Sequence, residues 1–454
     1  MCEKHVHRNF ICEMQNAYLC LCLPQPKNTK YKVSFTFQVL DIFSAVQIAT
    51  MSSRHFIILF LIYRHAKKSK GRTHAALMKH SRYRKMFFNS LNDHQRRIRR
   101  RYIPRQSLHL PSICAWRTLY ESKQDQALIT LTGLDFATFD WLAGNFAELY
   151  DTHSPWVDQT NGNIVRLQPR QKGRPRMLSA IDCLGLCLTW TRTRGSCSIL
   201  QMIFGLTLNP VSMYLRFGRR ILITVLRKEP DTAIKVPSID TIRQYQNIIR
   251  QRHPLLDGCW CTMDGLKLKI QQPADRVKEN NLYNGWKHDH YVGAVVVFCP
   301  DGTIPIVCYN VPGCVHDSLI AEWGSIYDKL GRVYDMCGGT CTVDSAFSAR
   351  RNQYLIKSGQ QRLVGETRAE LIRHIRLNAE ATSMRQSAEW GMRTLQASFP
   401  RIGDRFIYEE RGERRLVMEM CFLLYNLRAR RVGINQIRSV YMSALNMQAN
   451  DVFG

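Results

Sequence analysis

The chain has 454 residues, 45% apolar and 10% aromatic, which excludes a largely disordered polymer and allows two or three packed domains. Its 64 Lys and Arg outweigh 36 Asp and Glu, a formal charge of +28 that points to a polyanionic partner, nucleic acid or anionic membrane. Sixteen cysteines are scattered without Cys-x-x-Cys pairs, which sets aside a disulfide scaffold and favours reduced, buried thiols inside a cell.

Residues 1–63 form an N-terminal extension without periodic pattern, and Met51 offers an alternative start. Its longest apolar run, Phe56 to Tyr63, is far short of the roughly 20 residues a bilayer span requires, so no membrane partner is expected. Residues 64–112 read as a basic arm. Between Arg64 and Arg105 stand 15 Lys or Arg and one acid, Asp93, which is half the net charge of the chain. Arg97, Arg100 and Arg101 lie in its densest part. Such a run suits phosphate binding on DNA and nuclear localisation, and its plainer alternative is a solvated linker.

Residues 113–250 read as helical. A helix is expected over 127–150, with Asp135 able to cap its start, followed by a broken Pro-, Gly- and Asn-containing stretch at 153–175. Helices are then predicted over Met177 to Thr191, over Ser198 to Phe204, and from Asn209 or Pro210 to about Val225. The last two are separated by Gly205-Leu206-Thr207. A short helix, a three-residue turn with Gly and a second helix is helix-turn-helix grammar, here within 177–227. Arg216, Arg219 and Arg220 on the last helix are the candidate DNA contacts; an ordinary three-helix bundle is the alternative.

From residue 258 to about 430 the pattern changes. Strands are predicted over Cys259 to Ile270, Tyr291 to Cys299 and Thr303 to Val311, the last two joined by a Pro300-Asp301-Gly302 turn. A helix from Asp317 or Ser318 to about Leu330 follows, then a strand over Thr340 to Val343, a helix near 349–358, a strand near Arg362 to Val364, and a long helix from about Leu377 to Ser398 stopped by Pro400. Further helices at 413–430 pad the domain, and 431–454 reads as a tail. This order is that of a ribonuclease-H-like α/β domain with a mixed sheet.

Three acids stand out in that domain. Asp264 lies in the first strand, Asp344 follows the fourth, and Glu389 sits on the long helix. Both aspartates are flanked by apolar residues, where an unpaired carboxylate is costly to bury. First and fourth strands are neighbours in such a sheet, so the two aspartates can meet and the helix can bring Glu389 across. Converging carboxylates repel unless a cation neutralises them, and hard oxygen donors suit Mg²⁺ or Mn²⁺. Two such ions about 3.5–4 Å apart can cleave or join a phosphodiester.

The stretches Met263-Asp264-Gly265, Tyr283-Asn284-Gly285-Trp286-Lys287, Pro300-Asp301-Gly302, Pro312-Gly313-Cys314-Val315-His316-Asp317-Ser318, Val343-Asp344-Ser345-Ala346-Phe347 and Arg385-Gln386-Ser387-Ala388-Glu389-Trp390-Gly391 together resemble the DDE endonuclease domain of Harbinger-type transposases. The resemblance covers about 258–428, with weaker similarity at 177–227. It implies that Asp264, Asp344 and Glu389 are catalytic and metal-binding, that Mg²⁺ or Mn²⁺ is the cofactor, and that the activity is cleavage and strand transfer of double-stranded DNA ends in the nucleus. It also implies a separate Myb-like DNA-binding partner and self-association as options. Asp317, with His316 before it, falls in a family motif outside the triad; a helix N-cap or a supporting role is expected. Leu266 and the Ser345-Ala346-Phe347 turn depart from the common pattern without removing an acid. The competing reading is a domesticated, inactive DNA-binding or partner-recruiting protein of the same fold.

Overall fold

The computed structural model describes residues 103–157, 164–166, 175–194, 196–347, 352–359, 367–403, 405–406 and 411–442. The basic arm to residue 102, with Arg97, Arg100 and Arg101, lies outside them, as do the strand expected near Arg362 to Val364 and the tail from 443.

The helical layer comes first. α1 (Ala115–Glu121) buries Trp116, whose Nε1 donates to Asp182 at 3.0 Å. The single helix expected over 127–150 is two, α2 (Asp125–Thr132) and α3 (Phe136–Thr152), because Gly133 turns left-handed at φ 88°. Asp135 then caps α3 as anticipated, accepting from the Thr138 amide at 2.8 Å. The stretch after α3, expected to be irregular, contains an antiparallel pair, β1 (His153–Val157) and β2 (Ile164–Arg166).

α4 (Ala180–Arg192) opens on a capping box of Ser179 and Asp182. α5 (Ser198–Phe204) and α6 (Leu208–Leu226) follow at 91° to each other. The turn between them needs Gly205: its φ is 62°, and a Cβ would lie 2.5 Å from the His109 carbonyl oxygen. α5 and α6 together are apolar enough to resemble a broken membrane span, but no single helix among the described residues is long and apolar enough to cross one. α7 (Ile239–Arg252) closes the layer.

The second half is built on a mixed sheet. Its elements are β3 (Cys259–Lys269), α8 (Arg276–Leu282), β4 (Tyr283–Asn284), β5 (Asp289–Phe298), β6 (Ile306–Pro312), α9 (Asp317–Trp323), α10 (Ile326–Cys337), β7 (Thr340–Val343) and β8 (Leu355–Lys357). β3 pairs antiparallel with β5 and parallel with β7; β7 pairs parallel with β8; β4 and β6 pair antiparallel with successive parts of β5. The helix expected near 349–358 is contradicted over its second half, where Leu355–Lys357 is strand. The short Tyr354-Leu355-Ile356 run before Gly359 has strand character, and β7 offers it an unpaired edge. The helix expected from Asp317 to Leu330 is broken into α9 and α10 at Gly324 and Ser325, the latter at φ 50°.

α11 (Arg368–Ser398) starts nine residues earlier than its apolar pattern suggested, because Thr367 and Glu370 form a capping box. α12 (Pro400–Gly403), α13 (Arg411–Leu427), a π-helical turn at Arg428–Val432 and α14 (Gln436–Tyr441) complete the chain. Part of the expected tail is therefore core: Ile437 and Tyr441 are buried, and Tyr441 meets His253 at 3.2 Å.

Helices cover both faces of the sheet. A Cβ on Gly391 of α11 would touch the Phe298 ring, whereas one on Gly293 would touch Ile320 of α9. Residues 298 and 293 have opposite parity on β5, so α11 and α9 pack on opposite faces. The helical layer and the sheet share one buried apolar core. Buried Asn426 fastens them, accepting from the Ile304 amide and donating to the carbonyls of Ile304 and Ala233.

Candidate active site

Strand pairing places two of the three acids side by side. Met263 lies opposite Val343 in the parallel β3–β7 register, so Asp264, within β3, and Asp344, just past the end of β7, come next to each other one residue later, on the same face. Asp264 also pairs with Val296, whose parity is that of Phe298; both aspartates therefore face α11. Each turns back on the next residue: Asp264 Oδ1 accepts from the Gly265 amide at 2.7 Å, and Asp344 Oδ1 from the Ser345 amide at 2.6 Å.

Glu389 arrives from α11, fixed by buried Ala388 and Gly391 on either side of it. Its Oε1 is 2.9 Å from Arg385 Nη1, and that same nitrogen is 3.6 Å from Asp264 Oδ2. One guanidinium thus joins two of the three acids, and their oxygens can be no farther apart than the two distances together. Arg385 was visible in the sequence only as the residue one helical turn before Glu389, a spacing at which side chains meet. The Asp264 carboxyl is pushed up to about 6, chiefly by burial. The Gly265 amide and Arg385 hold it down, while the Asp344 and Asp317 carboxylates push it up. Burial thus dominates, with the neighbouring acids adding to it, and a cation would offset both.

Asp317 is not the cap of its helix. His316 is: its Nδ1 accepts from the Ser318 amide at 3.3 Å. Asp317 instead reaches the sheet from the α9 side, where its Oδ1 lies 2.7 Å from Lys267 Nζ, and Lys267 also donates to the Val315 carbonyl. The Asp317 carboxylate lies against Gly265, where a Cβ would come within 2.2 Å of Oδ2. It therefore stands behind Asp264, across the thickness of the sheet. Lys267 is buried to 9% exposure, a pairing hidden in an otherwise ordinary strand pattern.

The basic residues of α6 divide. Arg216 is exposed, near the open first turns that also show Leu208, Asn209 and Ser212. Arg219 is buried; it lies over the Trp190 ring at 4.6 Å and pairs with Glu413 at 3.5 Å. Arg220 is 2.8 Å from the same Glu413. Of the three arginines expected to contact DNA, Arg216 is exposed, while Arg219 and Arg220 pair with Glu413 of α13. A helix packed on both neighbouring layers has to spend charged side chains on internal pairing.

As donors, Asp264, Asp344 and Glu389 fit a hard divalent ion: all are carboxylates, two lie side by side on adjoining strands, and Glu389, 44% exposed, has room to turn. The ligand shell is not assembled, because among the described residues no three His, Cys, Asp or Glu side chains converge closely enough to hold a metal. Cys259, Cys261, Cys299 and Cys341 are free, buried thiols of the core.

Residues 263–426 match the family model described as DDE superfamily endonuclease. The match runs from inside β3 to the end of α13 and includes Asp264, Asp344, Asp317, Arg385 and Glu389. No curated protein and no solved structure matches the chain.

Proposed function

We propose that this chain is a metal-dependent DNA endonuclease of the transposase type, with Asp264, Asp344 and Glu389 as its catalytic acids. The observation that carries the reading is the juxtaposition of Asp264 and Asp344 on adjoining parallel strands, facing the helix that bears Glu389, inside a segment that matches the DDE superfamily. The antiparallel β6–β5–β3 arrangement continued by parallel β7 and β8 supports a ribonuclease-H-like sheet. The Harbinger subtype rests on the Pro312 to Ser318 and Arg385 to Gly391 stretches.

Mg²⁺ or Mn²⁺, when bound, supplies positive charge that activates an attacking oxygen and offsets charge on the leaving one. The three acids would hold it. Gly265 and Ser345 fix the aspartate carboxylates from their backbone amides. Duplex DNA, drawn by the chain's net charge, would lie over the α11 face, where Arg368, Arg373, Arg376 and Arg393 are exposed. The first turns of α6, with Arg216, would present a helix-turn-helix surface, and the arm with Arg97, Arg100 and Arg101 would add sequence-independent affinity in the nucleus.

The test is cleavage of a supercoiled plasmid carrying the DNA that flanks the coding locus. Full-length protein should nick or cut it with Mg²⁺ or Mn²⁺ and hardly with Ca²⁺, and Asp264→Ala, Asp344→Ala and Glu389→Ala should each abolish the reaction. Cleavage that survives any of these changes sinks the assignment. A wild-type chain that binds this DNA but never cuts it, even with a Myb-like partner supplied, establishes instead the domesticated, DNA-binding reading.

A further inference from the structure

Arg385 deserves a role of its own, because its placement is not explained by helix stability. An Arg one turn before a Glu is the less favourable order for an i, i+4 pair, and such pairs contribute only a few tenths of a kcal/mol. Yet Arg385 is only 21% exposed, and the nitrogen that meets Glu389 at 2.9 Å also lies 3.6 Å from Asp264 on the facing strand. It therefore ties helix to sheet through two acids that would otherwise repel across a partly dehydrated gap.

The same carboxylates are the ones a metal would need. A Mg²⁺ ion binds carboxylate oxygens at about 2.0–2.1 Å and demands a compact octahedral shell. A guanidinium nitrogen 2.9 Å from Glu389 Oε1 and 3.6 Å from Asp264 Oδ2 competes with that shell for the same two carboxylates.

We propose that Arg385 is the built-in counter-cation of the acidic site. It bridges Asp264 and Glu389, holding these two acids near each other and the helix docked, and it leaves Asp264 when a divalent ion is held. Arg385 is thus a positioning residue that both holds the two acids together and lowers their affinity for metal. This inference rests on the proposed metal-binding role of the acids, so its test separates the two.

The experiment measures Mn²⁺ binding to full-length protein by the loss of the free-ion paramagnetic resonance signal. Thermal melting in EDTA and in Mn²⁺ is followed alongside. Arg385→Gln should melt lower than wild type in EDTA, yet bind Mn²⁺ about five- to tenfold more tightly, the equivalent of a partly exposed ion pair no longer competing. Its melting temperature should therefore rise more on adding Mn²⁺ than that of wild type. Arg385→Lys keeps the charge but loses the planar fork, so it should fall between the two; it also serves if the Gln variant does not fold. Asp264→Asn should weaken Mn²⁺ binding. If it does so while Arg385→Gln and Arg385→Lys bind as wild type or more weakly, the counter-cation role is overturned and the metal site stands. Unchanged binding in Asp264→Asn overturns both.

Discussion

Replacing Gly391 by Ala tests how closely α11 must approach the sheet to deliver Glu389. The new Cβ would lie 2.6 Å from the nearest atom of the Phe298 ring, about 1 Å inside ordinary carbon contact. Phe298 cannot retreat easily: it is fully buried and braced by the Tyr425 ring at 6.1 Å. Overpacking of this kind costs about 1–3 kcal/mol, against which Ala regains about 1 kcal/mol of helix propensity. A net loss of about 1 kcal/mol is expected in urea unfolding. The effect on cleavage should be larger, because relief of the clash moves α11 by about 1 Å two residues from Glu389, and a displacement of that size can lower a rate about a hundredfold. Gly144→Ala is the control: it is exposed on α3 with nothing within 4 Å of the new methyl, and should stabilise by about 0.5–1 kcal/mol with cleavage unchanged. If Gly391→Ala is as stabilising as Gly144→Ala and cuts at the wild-type rate, the close docking of α11 on β5 is refuted.

Asp317→Ala should destabilise by about 3 kcal/mol, since it strands the buried Lys267 ammonium, and Lys267→Met in the same chain should restore much of that; urea melts that show only a cap-sized loss would contradict the pairing. Arg216→Ala should weaken duplex binding in a fluorescence titration with no change in melting, whereas Arg219→Ala should lower the melting temperature because Glu413 and the Trp190 face each lose one of their cationic partners. Deleting residues 64–102 should flatten the slope of log affinity against log salt, and an unchanged slope would mark the arm as a passive linker. Two groups should give opposite pH dependences. Burial, aided by the Arg252 charge, lowers His253 from 6.5 to about 4, so its contribution is present above pH 6.5 and lost as pH falls towards 4. Asp264 is raised from 3.8 to about 6, so its contribution is present below 3.8 and lost as pH rises towards 6. Between pH 4 and 6 the two largely cancel in wild type; His253→Phe should gain stability on acidification relative to wild type, Asp264→Asn should lose it, and parallel curves for all three would contradict these shifts.

Much of the sheet was legible because its strands are bounded by strong local signals. The Val295-Val296-Val297-Phe298 run and the Pro300-Asp301-Gly302 turn mark β5 and the start of the return strand, and α5 and the three-residue turn after it fall where the apolar pattern and Gly205 put them. The misplaced elements share a different cause. α11 begins at Arg368 on a capping box, but its first turns bury nothing, so an apolar pattern could not reveal them. Leu355–Lys357 is too short to show a period, and becomes a strand only because β7 has an edge to pair. The break at Gly324 and Ser325 depends on a left-handed residue that is not glycine. Of the site, the acids were legible as carboxylates among apolar residues. Their cationic partners were not, because pairing between Arg385 and Asp264, or Lys267 and Asp317, joins residues far apart in the chain.

The two faces of β3 explain why those pairings coexist. Residues of even number, among them Asp264, point towards α11, and residues of odd number, Gly265 and Lys267, point towards α9. A one-residue slip in pairing would exchange the faces, and with Asp264 in the place of Gly265 it would set Asp264 against Asp317. That juxtaposition brings like charges together, so the slipped register is disfavoured by charge as well as by burial. Gly265 sharpens the choice, since only a residue without a side chain leaves room for the Asp317 carboxylate behind the strand. The same alternation that aims Asp264 at the proposed reaction face thus secures it from behind: Lys267 neutralises Asp317, whose negative charge would otherwise act on Asp264 uncompensated. Asp317 supports the site through strand register and electrostatics, and a ligand role on the reaction face would require it to pass through the sheet.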